Sequence, residues 1–166
     1  MADNNVTANA ITRLGRSKFL IFFDWTRDFT FTDNVWTRLK KSTANTYTAN
    51  ENTEDFDYID SDDTVTEIVG NSLAIEFDQA LLDGDTNYEN LEKMMAELPT
   101  GEEAKVPILY CFGGSSMRAV RAIATITDKA LTPTDGTIGA SASISDKTTG
   151  TYTISDGTPT FVEPTP

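Results

Sequence analysis

Histidine is absent from the chain. That removes the commonest general base, the imidazole-dependent serine and cysteine nucleophiles, and most zinc sites. Cysteine occurs once, as Cys111, so no internal disulfide forms, and its place in an apolar run reads as a buried structural thiol. Positive charge is scarce: 13 basic residues stand against 26 acidic ones, a net charge of −13 over 166 residues. That balance argues against affinity for nucleic acid or anionic membrane surfaces through phosphate neutralisation. No stretch reaches the ~20 apolar residues of a spanning helix, so no membrane binding by this chain is expected. The polar N-terminus lacks the n- and h-regions of a secretion signal. No internal repeat is visible, and the length suits a single domain, 1–166, with a real core.

What is present centres on residues 64–112. Over 71–82 the residues alternate, with Leu73, Ile75, Phe77, Gln79 and Leu81 on one side and Ala74, Glu76, Asp78 and Ala80 on the other. A period of two predicts a half-buried strand with an apolar face and an acidic, small-residue face. Asp83-Gly84-Asp85 stops it with turn chemistry. Thr86 and Glu89 have the Thr-x-x-Glu form of a capping box. Tyr88, Leu91, Met94, Met95 and Leu98 then recur at helical spacing, predicting a helix over 86–98 that packs this stripe on a sheet. Residues 106–112 are a continuous apolar run of strand length.

The flanks follow the same logic. Residues 1–15 are polar and read as an N-terminal arm. Strands are predicted at 19–23 and 35–39, with 25–31 continuing the first through alternating Trp25, Arg27, Phe29 and Phe31. Over 40–63 the pattern disappears into 24 polar residues, with Lys40 and Lys41 at the root and seven acids from Glu51 to Asp63. A loop this long is uncommon in a compact domain. It is either a solvated loop or an arm that orders by docking on a neighbouring subunit. Further strands are predicted at 117–127, 137–145, 151–154 and 160–162, and 155–166 reads as a C-terminal arm. The fold class is mainly β, a sandwich or part-barrel of two sheets with one flanking α-helix.

Candidate chemistry is thin. Asp83-Gly84-Asp85 resembles the start of a calcium loop, but Tyr88 and Met94 stand where an EF-hand requires glycine and glutamate. The cluster Asp55, Asp57, Asp60, Asp62 and Asp63 offers carboxylates for calcium, or for an acid pair in glycoside hydrolysis, with nothing to fix two of them at a set separation. Gly113-Gly114-Ser115-Ser116 is a turn rather than a nucleophile elbow. Asn5-Val6-Thr7 fits a glycosylation sequon, with little weight absent a secretion signal. No catalytic residue, cofactor or metal ligand is assigned. Basic residues such as Arg27, Arg38, Arg118 and Arg121, against the acidic stretch 51–92, suit head-to-tail contact between copies.

The order of these elements resembles the major tail (tail tube) proteins of long-tailed bacteriophages. The resembling residues are Val35-Trp36-Thr37-Arg38-Leu39, the stretch 51–60 (Glu-Asn-Thr-Glu-Asp-Phe-Asp-Tyr-Ile-Asp), the stretch 65–77, the helix entry at Gly84-Asp85, the strand beginning at Val106, and the close from Gly150 to Phe161. The resemblance implies a two-sheet sandwich whose copies close into hexameric rings, their inner strands joined in one barrel. Stacked rings would form a tube conducting DNA from capsid to host without specific binding. The segment 40–63 would be the stacking arm, with Lys40, Lys41, Tyr47, Glu51, Glu54, Asp55, Phe56 and Asp57 as contact candidates. Glu76 and Asp78 are candidates for the lumen, although the same face also suits the outside of the tube. Partners would be copies of itself and the neighbouring tape measure, tail terminator and distal tail proteins. The location would be the virion, after synthesis in the bacterial cytoplasm. The inner tube of a contractile tail or tailocin is the near alternative, and a calcium- or carbohydrate-binding surface sandwich is the alternative from another class. In this reading, deleting 43–53 leaves a folded subunit unable to polymerise.

Overall fold

A computed structural model describes residues 13–59 and 63–164. Most of the expected N-terminal arm, the sequon, Asp60, Asp62 and the last two residues lie outside the described residues. The apolar run near the start becomes β1 (Leu20–Asp24), and its neighbour becomes the short β2 (Trp36–Arg38). They are followed by β3 (Asn45–Asp57), β4 (Thr64–Ala80), the helix α1 (Thr86–Glu97) and β5 (Lys105–Cys111). The chain closes with β6 (Arg118–Thr132), β7 (Thr137–Ser155) and β8 (Thr158–Val162). All eight strands belong to one antiparallel sheet in the order β2-β1-β5-β6-β7-β4-β3, with β8 paired to the far end of β7.

Mainly β with one flanking helix is therefore the observed class. The two expected layers are two limbs of a single sheet. From β1 to β4 there are four strand steps, on the order of 19 Å across a flat sheet at ~4.8 Å each. Yet the Phe23 and Phe77 rings sit 5.0 Å apart, and Tyr47 of β3 meets Tyr110 of β5 at 4.8 Å. The sheet has rolled over until its inner faces touch. Register shifts in β6, at Arg121/Ile123 and Thr127/Ala130, mark bulges of the kind that increase local bend and twist.

The enclosed core holds Ile21, Phe23, Ile75, Phe77, Val106, Ile108, Ala122, Ala124, Ile138 and Ala142, with Leu91 and Met94 contributed by α1. Leu73, Ile75, Phe77 and Gln79 point inward as the alternation predicts. A second cluster on the opposite side of β1 and β5, formed by Phe22, Leu109, Cys111, Ala119 and Tyr152, lies against Trp36 and Phe161 of the flanking strands. Burial there pushes the Cys111 thiol up to about 12.

α1 starts where the sequence places it, but its cap is Asp85 rather than Thr86. The Asp85 carboxylate accepts the backbone N–H groups of Asn87 and Tyr88 and the side-chain amide of Gln79. It suits the positive end of the helix dipole. Asn87, fully buried, accepts Trp25 Nε1–H at 2.7 Å and donates to the Arg38 carbonyl at 2.9 Å. Leu98, expected in the apolar stripe, instead occupies the left-handed C-cap and is 70% exposed.

Four further expectations are corrected. Residues 25–31 are a loop, not a strand: the Asp24 carboxylate takes the N–H of Thr26 and Asp28, and the Asp28 carboxylate takes those of Thr30, Thr32 and Asp33. Side chains that capture these donors leave none for a ladder, and Arg27 and Phe31 adopt positive φ. The two strands expected at 137–145 and 151–154 are one 19-residue strand. Its middle lacks the alternation because no residue from Ser143 to Thr151 is buried, so neither face there packs on the core. Of the expected C-terminal arm, 158–162 is β8 on the chain's own body, and Arg121 pairs with Glu163 while its guanidinium lies over the Phe31 and Phe161 rings. The largest correction concerns 40–63. It is not a loop: 45–57 is β3, the first strand of a long β-hairpin that β4 completes.

Candidate functional site

The hairpin is β3 and β4 joined through residues 58–63. Its lower part, β4 from Leu73 to Ala80, pairs with β7 and lies in the sheet. Its upper part, where Glu51 to Asp57 pairs with Asn71 to Thr64, has only its own partner strand. At ~3.3 Å per residue this ribbon projects roughly 23 Å beyond the body. Nearly every residue on it is exposed, including Val65, Ile68 and Val69 at 38%, 56% and 51%. Two strands alone are marginal in water.

The register decides which side each residue occupies. Asp57 and Thr64, Asp55 and Thr66, and Thr53 and Ile68 lie across from one another, with Val69 extra at a bulge. That side prolongs the core-facing side of β4. The threonine hydroxyls donate to the two aspartates at 2.7 Å each. On the other side Phe56 stacks on Tyr58 at 6.1 Å, and the Tyr58 hydroxyl donates to Glu67. Glu54 and Glu67 face each other across the ladder, a like-charge pair that costs stability unless something positive covers it.

The expected arm residues therefore separate. Glu51, Glu54, Asp55, Phe56 and Asp57 are on the projecting ribbon. Lys40 pairs with Asp85 at 3.7 Å beside the start of α1, and Lys41, at positive φ, forms the turn into β3 with its carbonyl accepting Ala80 N–H. Tyr47 belongs to the body, in an aromatic trio with Tyr110 and Phe112, and desolvation raises its phenol above the ordinary value. Deleting 43–53 would accordingly remove part of the body.

Glu76 and Asp78 lie on the outward side of β4, as the alternation predicts. Register sets Glu76 beside Ser141, Asp78 beside Gly139 and Ala74 beside Ser143, with Thr46 and Thr48 of β3 on one flank and Thr125 and Thr127 of β6 on the other. The result is a four-stranded surface of small hydroxyl side chains with one exposed carboxylate. Asp78 is not a free charge on it. Its carboxylate accepts the backbone N–H groups of Thr43 and Ala44 at 2.6 and 2.7 Å and the hydroxyls of Ser42 and Thr43. Its carboxyl is held below the ordinary aspartate value. Desolvation, the largest single influence, raises it, and these hydrogen bonds together outweigh that. Sequence reasoning identified the outward row of β4 and missed that the rows of β3, β6 and β7 adjoin it, because strand order leaves no mark in local pattern.

The same four strands end in two open edges. The outer edge of β3 has no partner strand among the described residues, and β6 runs on from Ile126 to Thr132 after its last β5 pairing at Thr125. Elsewhere the chemistry is sparse. No three His, Cys, Asp or Glu side chains converge on a metal site among the described residues. No helix among them is long and apolar enough to cross a membrane.

These features, a rolled sheet with a flanking helix, open edges and a projecting hairpin, define a tail-tube-like fold. A chain in the tail of an empty gene transfer agent particle, refined helically with C6 symmetry, matches over 90% of this chain and 99% of its own length, with a TM-score of 0.56 at 15% identity. A chain in the virion of a native gene transfer agent particle matches with the same coverages, a TM-score of 0.54 and 16% identity. No protein-family model matches the sequence, and no curated protein matches it.

Proposed function

We propose that this chain is a structural tail protein that closes into rings of six copies and stacks them into a tube. The observation that carries the reading is the four-stranded segment β6-β7-β4-β3, whose outer edges, along β3 and along β6 beyond Thr125, have no partner strand among the described residues. Long exposed edges invite uncontrolled pairing, and pairing β3 of one copy with β6 of the next would consume both in a closed barrel. The hydroxyl-lined surface with Glu76 would then face the lumen, and a net charge of −13 disfavours retention of passing DNA. The C6 tail in which a similar fold occurs supports six as the copy number. The hairpin would bridge one ring to the next, and rings at the tube ends would meet the tape measure, terminator and distal tail proteins. The role is non-catalytic, in a virion assembled in the bacterial cytoplasm.

Cryo-electron microscopy of the purified protein across a concentration series tests this. Hexameric rings or tubes with a β-barrel bore are expected. A protein that stays monomeric at millimolar concentration would sink the reading.

A further inference from the structure

Beside the root of the hairpin the sheet forks. The β4 ladder leaves β7 at Ile144, and β8 takes up that same edge only at Thr151. Residues 145–150 are left without a strand there among the described residues. A groove of about 570 Å3 opens at this point, walled by Leu73, Phe112, Val120 and Val162. Arg118 and Lys147 line it as well, both exposed and neither in an ion pair among the described residues.

We infer that this groove is the socket for the projecting hairpin of a second copy. The inference deepens the tail reading above and rests on it. Two properties of the hairpin match the groove. Its exposed Ile68 and Val69 lie on the side that prolongs the core-facing side of β4, so they offer apolar surface to an apolar floor. Its carboxylates are in excess, and on that same side no intramolecular cation pairs with Glu51 or Asp55 among the described residues. Arg118 and Lys147 supply the opposite charge at the receiving site, which fixes partner and register more than raw affinity. The free β7 edge adds backbone donors and acceptors for an incoming strand. A chain's own hairpin cannot fill its own groove. Tyr47, Ala49 and Leu73 at its root form part of the wall, and returning the tip would break the ladder that holds it straight.

The test is charge reversal followed by rescue, read as the fraction of protein sedimenting as tubes. R118E/K147E should keep the parent's melting temperature and lose at least tenfold in tube mass, and E51K/D55K, on the ribbon side that bears Ile68, should do the same from the other copy. Joining all four changes in one chain should restore tubes. If R118E/K147E forms tubes as the parent does, the socket is wrong while the tube reading stands. Loss on both sides without rescue overturns the hairpin as the occupant. A parent that never assembles overturns both.

Discussion

One strand, β4, passes through two different environments. From Leu73 to Ala80 it is sandwiched between β3 and β7, and alternate side chains are buried. From Thr64 to Ser72 it has β3 on one side, no strand on the other among the described residues, and almost every side chain in water. Both halves are extended strand, apart from the bulge at Val69. Only the lower half carries the alternation of apolar and polar residues. Periodicity therefore reports burial on one face rather than strand formation itself, and a ribbon wet on both faces is silent in sequence.

This contrast sets the expected outcomes. The largest is excision of the whole projecting ribbon, residues 51–71, with a two-residue turn joining β3 to β4. Tube formation should vanish completely, while denaturant unfolding shifts by less than about 1 kcal/mol, because only exposed surface is removed. Unfolding of the shortened chain under native conditions would show that the ribbon belongs to the body after all.

Next come matched truncations in the two halves of β4. Phe77→Ala removes a ring 3% exposed that packs on Phe23, and about 3–5 kcal/mol of stability should go with it. Val65→Ala, on the wet half, should cost less than about 0.5 kcal/mol. Equal costs in urea titrations would erase the distinction between the halves.

The smallest effect is local to the body. Asp28 has its carboxyl lowered from 3.8 to about 2, by the Thr30 hydroxyl first and then the Asp33 N–H. A depressed folded value means its stabilisation is complete above pH 3.8 and is lost as pH falls toward 2. Acid titration should show a fluorescence transition of Trp25 and Trp36, which flank this loop, in that window. Asp28→Asn should abolish it. A transition that persists unchanged in the variant would assign it to another carboxylate.

Much of the body was legible in residue order. The helix, the inward row of β4 and the run that became β5 all carry local signals, since each is fixed by neighbours a few residues away. The cap at Asp85 was misassigned because Thr86 and Glu89 offer a competing pattern one residue on. The loop at 25–31 looks like a strand in sequence because its large residues alternate, and the Asp24 and Asp28 side-chain hydrogen bonds that override them leave no mark in that alternation. Of the candidate assembly residues, Glu51 to Asp57 were placed on the arm, whereas Lys40, Lys41 and Tyr47 belong to the body. Nothing local separates the two groups.

Composition alone determined that this chain is acidic, free of histidine and cross-linked by no internal disulfide, and residue periodicity that it is built mostly from strands with one helix. Local chemistry added where most of those strands begin and end. Strand order came only from the folded molecule, and with it the rolling of one sheet into two layers, the hydroxyl surface around Glu76, the fork that opens the groove and the reach of the hairpin. Each of these depends on pairing between residues distant in the chain. Such pairings are selected by the total burial they achieve together, a quantity that no single stretch of sequence contains.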